Sequence, residues 1–358
     1  MTFKLPTDKS GIPLIGIGSG TYYYKKDKHA PVNEQLVKIF TTAVKEGFVH
    51  LDSAEVYGND AELRDALKQL VGGGVKREDI FITDKYYAGD GSYSAHSPFS
   101  NPYERIKSLV KELNTSYVDL YLLHAPFIKK ESHGFDLKEA WKYLQQAKDE
   151  GLAKRIGVSN FGVEDLKEII GTTATDPEVN QIEYNAFLQN QTPGIVEFSQ
   201  SHNIAVEAYS PLAPITSGDL TQGKGLEFAK YLEELGAKYG KTNTQILLRW
   251  VIQTNVIPIT TTSKVERLQE LKGVFGWELE ASEVSKISEL GKAYGTLRKY
   301  WKPEYSKYDW LIHWLTTENY ISSQSLCIFI FFFCFTIALS QSIDSLKSKV
   351  FWPKTIWE

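Results

Sequence analysis

Four polar side chains in the first part of the chain could do chemistry together. Asp52 lies in HLDSAEVYGN, with Tyr57 five positions later; Lys85 ends FITDK and His124 ends LYLLH. A free tyrosine has a pKa of about 10, too high for an efficient proton donor at neutral pH. A neighbouring ammonium favours the phenolate and lowers that value. A carboxylate paired with the ammonium would hold it charged and oriented. A histidine across the site could donate a hydrogen bond to a carbonyl oxygen. Such a set protonates an alkoxide as it forms. It lacks a reductant, so it implies a hydride carrier. Each residue alone has a plainer reading. Asp52 could cap a helix, Tyr57 is one of 20 tyrosines, Lys85 could be a solvated strand end and His124 a satisfied core histidine.

The elements that would position them change that balance. Apolar β-rich runs occur at 14–20, 48–54, 79–85, 117–125, 155–160, 178–184, 205–210 and 256–262. Continuous Ile/Val/Leu runs suit strands covered on both faces, as in parallel sheets. Helix-period segments separate them. Ile106, Leu109, Val110 and Leu113 share one helical face, behind an Asn101 cap and Pro102. Leu63, Ala66, Leu67 and Leu70 repeat the spacing, as do Leu137, Ala140, Trp141 and Leu144 before Gly151. The front of the chain, FKLPTDKSGIPLI, reads as a short hairpin around Lys-Ser-Gly. Eight strand–helix units favour a (β/α)8 TIM barrel over residues 1–310, against an open doubly wound sheet. In a barrel, chemistry sits at the C-terminal strand ends, where Asp52, Lys85 and His124 fall on successive runs and Tyr57 in the loop after the first of these.

Composition bounds the partners. The 358 residues are 42% hydrophobic and 23% charged, an ordinary globular mix. A net charge of −4 gives no basic excess for nucleic acid. No CxxC, CxxH or HExxH spacing exists, so no metal site is expected. No GxSxG supports a hydrolase. GIGSG at 16–20 has the wrong spacing for a dinucleotide loop and no helix start behind it. The first residues lack a signal-peptide run, and a reduced cytoplasmic compartment is expected. Residues 311–358 read as a separate extension. Its apolar segment 326–339 holds both cysteines, in a stretch without charge from Glu318 to Asp344. Fourteen residues make a helix of about 21 Å, short of a roughly 30 Å hydrocarbon core. Membrane attachment through 326–339 is one reading. The other, favoured by the abrupt change of composition, is sequence foreign to the barrel, such as translated intron or a shifted frame.

GFVHLDSAEVYGND, ITDK, YVDLYLLHAP, RIGVSNF, NQIEYN, VEAYSPL and IPITTTSKVERLQE occur in that order. On these motifs the chain resembles the aldo-keto reductase superfamily, from about Phe3 to about Trp310. TTTSK and the RKYW end look most like fungal NADPH-dependent α-keto amide and conjugated polyketone reductases. The resemblance implies NADPH/NADP as cofactor, Tyr57 as general acid, Lys85 and Asp52 as its tuning pair, and His124 orienting a carbonyl. It implies that Ser159, Asn160 and Gln181 hold the nicotinamide carboxamide and that Tyr209 stacks on the ring. Ser210 and Leu212 would hold pyrophosphate, with Thr21 near the cofactor. Ser263, Lys264 and Arg267 would contact the adenosine 2′-phosphate, with Glu270 near adenine.

The chain departs from the common pattern. Tyr86 and Ala125 stand where many members have Trp, Asn185-Ala186 where many have His-Pro, Tyr22 where many have Trp, and Leu271 where Asn is usual. The stretch between Pro258 and Arg267 is two residues longer, which leaves Ser263 and Thr262 as alternatives. Tyr22, Tyr23, Tyr86, Tyr87 and Phe127 are expected to line an aromatic pocket suited to apolar ketones and dicarbonyls. Residues 86–102 read as a lid or an insertion. Reduction of a small-molecule carbonyl is the leading function. A cofactor-binding regulatory or redox-sensing subunit of a membrane partner is the second, resting on the apolar tail.

Overall fold

The computed structural model describes residues 5–309. Eight parallel strands close into a barrel in sequence order. They are β1 (Gly16–Gly18), β2 (His50–Asp52), β3 (Phe81–Tyr86), β4 (Val118–Leu123), β5 (Ala153–Ser159), β6 (Val179–Glu183), β7 (Ala205–Tyr209) and β8 (Val256–Thr260). Each lies within or overlaps one of the eight apolar runs. β1 pairs with both β2 and β8, which shuts the cylinder and removes the open-sheet alternative.

The helices form where caps and periodicity place them. Asn101 accepts from Glu104 N and opens the helix Pro102–Glu112, whose Ile106, Leu109 and Val110 are buried. Asp136 and Glu139 form a capping box at the start of Leu137–Asp149. Gly151 then turns the chain with φ +75°. The helix–sheet layer holds the main core, including Trp141 and Trp250. A smaller cluster of Leu120, Leu122, Val179, Ile257 and Ile259 packs with Ile12. Ile12 belongs to the expected hairpin, which is narrower than the sequence suggested. It is a turn with one antiparallel bridge, Thr7 to Pro13. GIGSG proves to be β1 and its exit, and the next helix begins only at Glu34.

No helix among the described residues is long and apolar enough to cross a membrane. Segment 326–339 and the whole 311–358 extension lie outside the described residues; the compact unit that carries the barrel spans Met1–His313. All eight strands precede that boundary. A chain stopped after His313 is therefore expected to stay soluble and to keep kcat/KM within a few-fold of the full chain. Gel filtration and turnover check this; an insoluble truncation beside a soluble full chain would contradict it.

Candidate active site

Side chains alternate along a strand, so neighbours on β3 face opposite ways. Asp84 is buried near Arg105 at 3.5 Å, while Lys85 is buried against Asp52. Lys85 Nζ donates to Asp52 Oδ1 and Oδ2 at 2.8 Å each and to Ser53 O at 2.9 Å. Burial works against the ammonium, yet Asp52 overcomes it and lifts Lys85 to about 12.

Tyr57 ends a 3-10 turn, Glu55–Tyr57, that leaves β2. Glu55 anchors this turn. Its Oε2 accepts from Tyr87 N at 3.0 Å and its Oε1 from Ser97 Oγ at 2.7 Å. The same bonds tie residues 86–102 to the barrel rim. Gly58 follows with φ +67°, where a Cβ would lie 2.8 Å from Lys25 O. Asn59 then donates to Ser19 O and Tyr23 O and accepts from Ser53 Oγ, joining the loops after β1 and β2. The Tyr57 ring lies 5.3 Å from Lys85 Nζ and meets the His124 ring edge-on at 5.6 Å.

One electrostatic expectation is corrected. Lys85 does pull on the Tyr57 hydroxyl, but burial outweighs it and Asp52 adds to the rise, to about 12. The phenol is thus protonated at neutral pH, not a phenolate. Burial, with Lys85 adding, pushes His124 well below its usual range, so its ring is neutral at pH 7. A neutral imidazole still has one N–H to donate.

These groups open onto a cavity of about 640 Å³. Asp52, Tyr57 and His124 line it, as do Thr21, Tyr22 and Tyr87. Three expected lining residues do not. Tyr86 is buried near Phe135. Tyr23 is buried and donates to Thr262 O. Phe127 packs beneath Trp301 and Tyr305 rather than facing the cavity.

The residues expected around a nicotinamide fall together but differ in what they have free. Ser159 is off the cavity wall, its Oγ donating to Gln181 O at 2.7 Å. Asn160 Nδ2 donates to His124 O and Ser159 Oγ, and its Oδ1 accepts from Gln191 and Tyr209. Gln181 lines the cavity, with Nε2 bonded below and no partner for Oε1 among the described residues. Tyr209, Ser210 and Leu212 line the same cavity after β7. Beyond β8, Arg267 reaches the wall and opens a six-residue helix, Arg267–Lys272. Ser263, Lys264 and Glu270 lie near it in sequence but off the wall. Lys264 is exposed, and Glu270 accepts from Thr242 Oγ1. Thr262 Oγ1 is tied to Lys264 N and Lys264 O, which leaves Ser263 as the freer hydroxyl.

Sequence reasoning missed part of the wall. Lys299, Tyr300 and Trp301 line it from the C-terminal side. Glu183, at the end of β6, accepts from Lys299 N at 2.8 Å and Tyr300 N at 3.1 Å and so seats that segment. Burial pushes Glu183 up to about 7, against those two N–H groups. A carboxylate inside NQIEYN, at a strand end, was the available signal. Thr261 also lines the cavity, with a buried Oγ1 lacking a hydrogen-bond partner among the described residues. Gly20 was passed over with GIGSG. A Cβ there would stand 2.7 Å from Tyr57 Cζ.

That contact generates a test. Gly20→Ala must displace the Tyr57 ring, and a misplacement of about 1 Å can cost about 10²-fold in rate. We expect kcat to fall by about 10–100-fold in Gly20→Ala while thermal stability changes little, measured by turnover and calorimetry.

The aldo/keto reductase family matches residues 16–292. The NADPH-dependent alpha-keto amide reductase of Saccharomyces cerevisiae is 44% identical over 303 residues, covering 84% of this chain and 94% of that protein. The NAD/NADP-dependent indole-3-acetaldehyde reductase of Schizosaccharomyces pombe is 39% identical over 282 residues, covering 78% of this chain and 92% of that protein. An aldo-keto reductase of Bombyx mori, solved in complex with NADP, superposes with a TM-score of 0.70 at 26% identity, covering 86% of this chain and 99% of that one. With its barrel, its Asp52–Lys85 pair and these matches, the chain belongs to the aldo/keto reductase family.

Proposed function

We propose that this protein reduces α-dicarbonyl, α-keto ester or α-keto amide carbonyls to alcohols with NADPH, and that Tyr57 gives the proton. The protein is an NADP-dependent oxidoreductase acting on small carbonyl compounds. The finer reading rests on one observation above all: Asp52, Lys85, Tyr57 and His124 meet at the mouth of β2–β4, with Asp52, Tyr57 and His124 on the cavity wall. The substrate class rests on the aromatic wall of Tyr22, Tyr24, Tyr87, Tyr300 and Trp301, and on the named activity of the S. cerevisiae relative. The regulatory-subunit alternative rested on 326–339, outside the described residues.

The cavity fits the cofactor. Gln181 Oε1 and Thr261 Oγ1 are unpartnered polar atoms of wall residues, and neither Arg267 nor Lys264 has an ion pair among the described residues. Gln181, Tyr209 and Asn160 would flank the nicotinamide, Ser210 and Leu212 the pyrophosphate, and Ser263, Lys264 and Arg267 the 2′-phosphate. Bound there, NADPH supplies a hydride. His124, neutral, donates its N–H to the carbonyl oxygen and orients it. Tyr57, protonated, delivers its O–H proton to the same oxygen as negative charge builds. Lys85, held by Asp52, offsets the charge left on the phenolate. Phe127 supports the substrate end through Trp301, and Tyr86 packs near Phe135 away from the cavity.

Two outcomes are expected. Tyr57→Phe should lower kcat by about 10²–10⁴-fold, the usual size of acid–base catalysis. NADPH affinity should change little, and near-normal turnover would remove Tyr57 from the mechanism. Cofactor choice should lie with Lys264 and Arg267. Charge-assisted hydrogen bonds contribute about 1.5–3 kcal/mol each, so two favour NADPH over NADH by about 10²–10⁴-fold. The Lys264→Ala, Arg267→Ala double variant should lose NADPH affinity while NADH binding stays within a few-fold. Titration by fluorescence checks this, and equal losses for both cofactors would rule the pair out.

A further inference from the structure

Glu207 is a fully buried acid on β7 that the mechanism above does not use. It stands opposite Gln181 in the β6–β7 register. Gln181 Nε2 lies between two carboxyl groups, 2.8 Å from Glu207 Oε2 and 2.9 Å from Asp52 Oδ2. An amide nitrogen carries two N–H groups, and both are consumed there. The reversed amide would set its carbonyl oxygen against the Asp52 carboxylate, which has no hydrogen to give. Only one orientation is therefore compatible with the site, and it leaves Oε1 on the other arm of an amide that lines the cavity.

The neighbours sharpen the point. Ser159 Oγ and both polar atoms of Asn160 are already engaged inside the barrel. Of the three residues at the nicotinamide end, Gln181 alone offers an uncommitted acceptor.

We propose that Glu207 is a positioning residue for the cofactor: by taking the second N–H of Gln181, it fixes the amide with Oε1 ready to accept an N–H from the nicotinamide carboxamide. This rests on the reading that the cavity takes NADPH. Burial, with Asp52 adding, pushes the Glu207 carboxyl up to about 8. At neutral pH it is mostly an uncharged acid that still accepts through Oε2. It thus orients Gln181 without placing a second full negative charge beside the Asp52–Lys85 pair. His50, 4.0 Å from Glu207 Oε1, is likewise neutral, held at about 4 by burial.

The test separates the nicotinamide end from the rest of the cofactor. Dissociation constants are measured for NADPH and for 2′-phospho-ADP-ribose, which lacks the nicotinamide, with wild type, Glu207→Leu and Glu207→Gln. Glu207→Leu should weaken NADPH about tenfold, one hydrogen bond at about 1.4 kcal/mol per decade. Binding of 2′-phospho-ADP-ribose should stay unchanged within error. Glu207→Gln keeps a carbonyl acceptor and should recover most of the loss. Should the leucine variant not fold, Glu207→Asp, which withdraws the acceptor by one methylene, is read in the same way. Equal losses for both ligands, or an unchanged NADPH constant, overturn the proposal while leaving the cavity reading intact. A wild type that binds 2′-phospho-ADP-ribose as tightly as NADPH overturns both the carboxamide subsite and the role of Glu207.

Discussion

A buried ammonium and a buried carboxylate, Lys85 and Asp52, hold each other's charge at the mouth of the barrel. Neither could stay ionised there alone, because desolvating an isolated charge is far more costly than its neutralisation. A buried pair that loses one partner costs about 3–5 kcal/mol. The surrounding geometry follows from keeping this pair intact. The β2–β3 register sets their strands side by side, and Ser53 O accepts a hydrogen bond from the third Lys85 N–H. With all three N–H groups engaged, Lys85 acts on Tyr57 chiefly through its field. That field is partly cancelled by Asp52. The Tyr57 phenol accordingly keeps its proton at neutral pH.

The second layer of positioning is carried by other buried polar groups. Arg105, buried, lies near Asp60, Asp84 and Glu55 at 2.7, 3.5 and 3.6 Å. Through Glu55 it steadies the turn that presents Tyr57 and the loop that presents Tyr87. Asn59 does the same between the loops after β1 and β2. Each of these side chains has a hydrogen-bond or ion-pair partner among the described residues, and these bonds tie the loops together. The four central polar residues are thus set in part by residues that do not line the cavity.

Strands and helices were legible because their signal is local. Apolar runs, the Asn101 cap and the Asp136–Glu139 box each lie within a few residues of the element they define. The four central polar residues were legible through the strand-end rule and the order of motifs. What escaped depends on distance across the fold. Nothing near Tyr86 says that its ring turns toward Phe135, since face choice at a strand end depends on the neighbouring helix. Gly20 matters only because Tyr57 comes back over it from the next loop. Lys299 and Tyr300 reach the cavity through a carboxylate more than a hundred positions earlier. The direction of the Tyr57 shift was misjudged for a similar reason. Charge neighbours can be guessed from motifs, but the depth of burial cannot.

The cavity wall divides into two electrostatic regions, and the division suits the charged cofactor and the apolar substrate of the proposed reaction. Toward β8 it carries Arg267, with Lys264 close by in sequence, cations without ion partners among the described residues and therefore available to an anion. Toward β2–β4 the Tyr57 phenol, the neutral His124 ring and Asp52, paired with Lys85, face the cavity, and Asp90 lines it from the loop after β3. Glu207 and His50, beneath, are neutral as well at pH 7. In the proposed reduction, the electrostatic change beside the phenol comes as charge develops on the carbonyl oxygen, when Lys85 and His124 have most to offer. Preorganised polar groups of this kind favour the transition state over the bound substrate. The aromatic wall of Tyr22, Tyr87, Tyr300 and Trp301 completes the region by lending surface without charge.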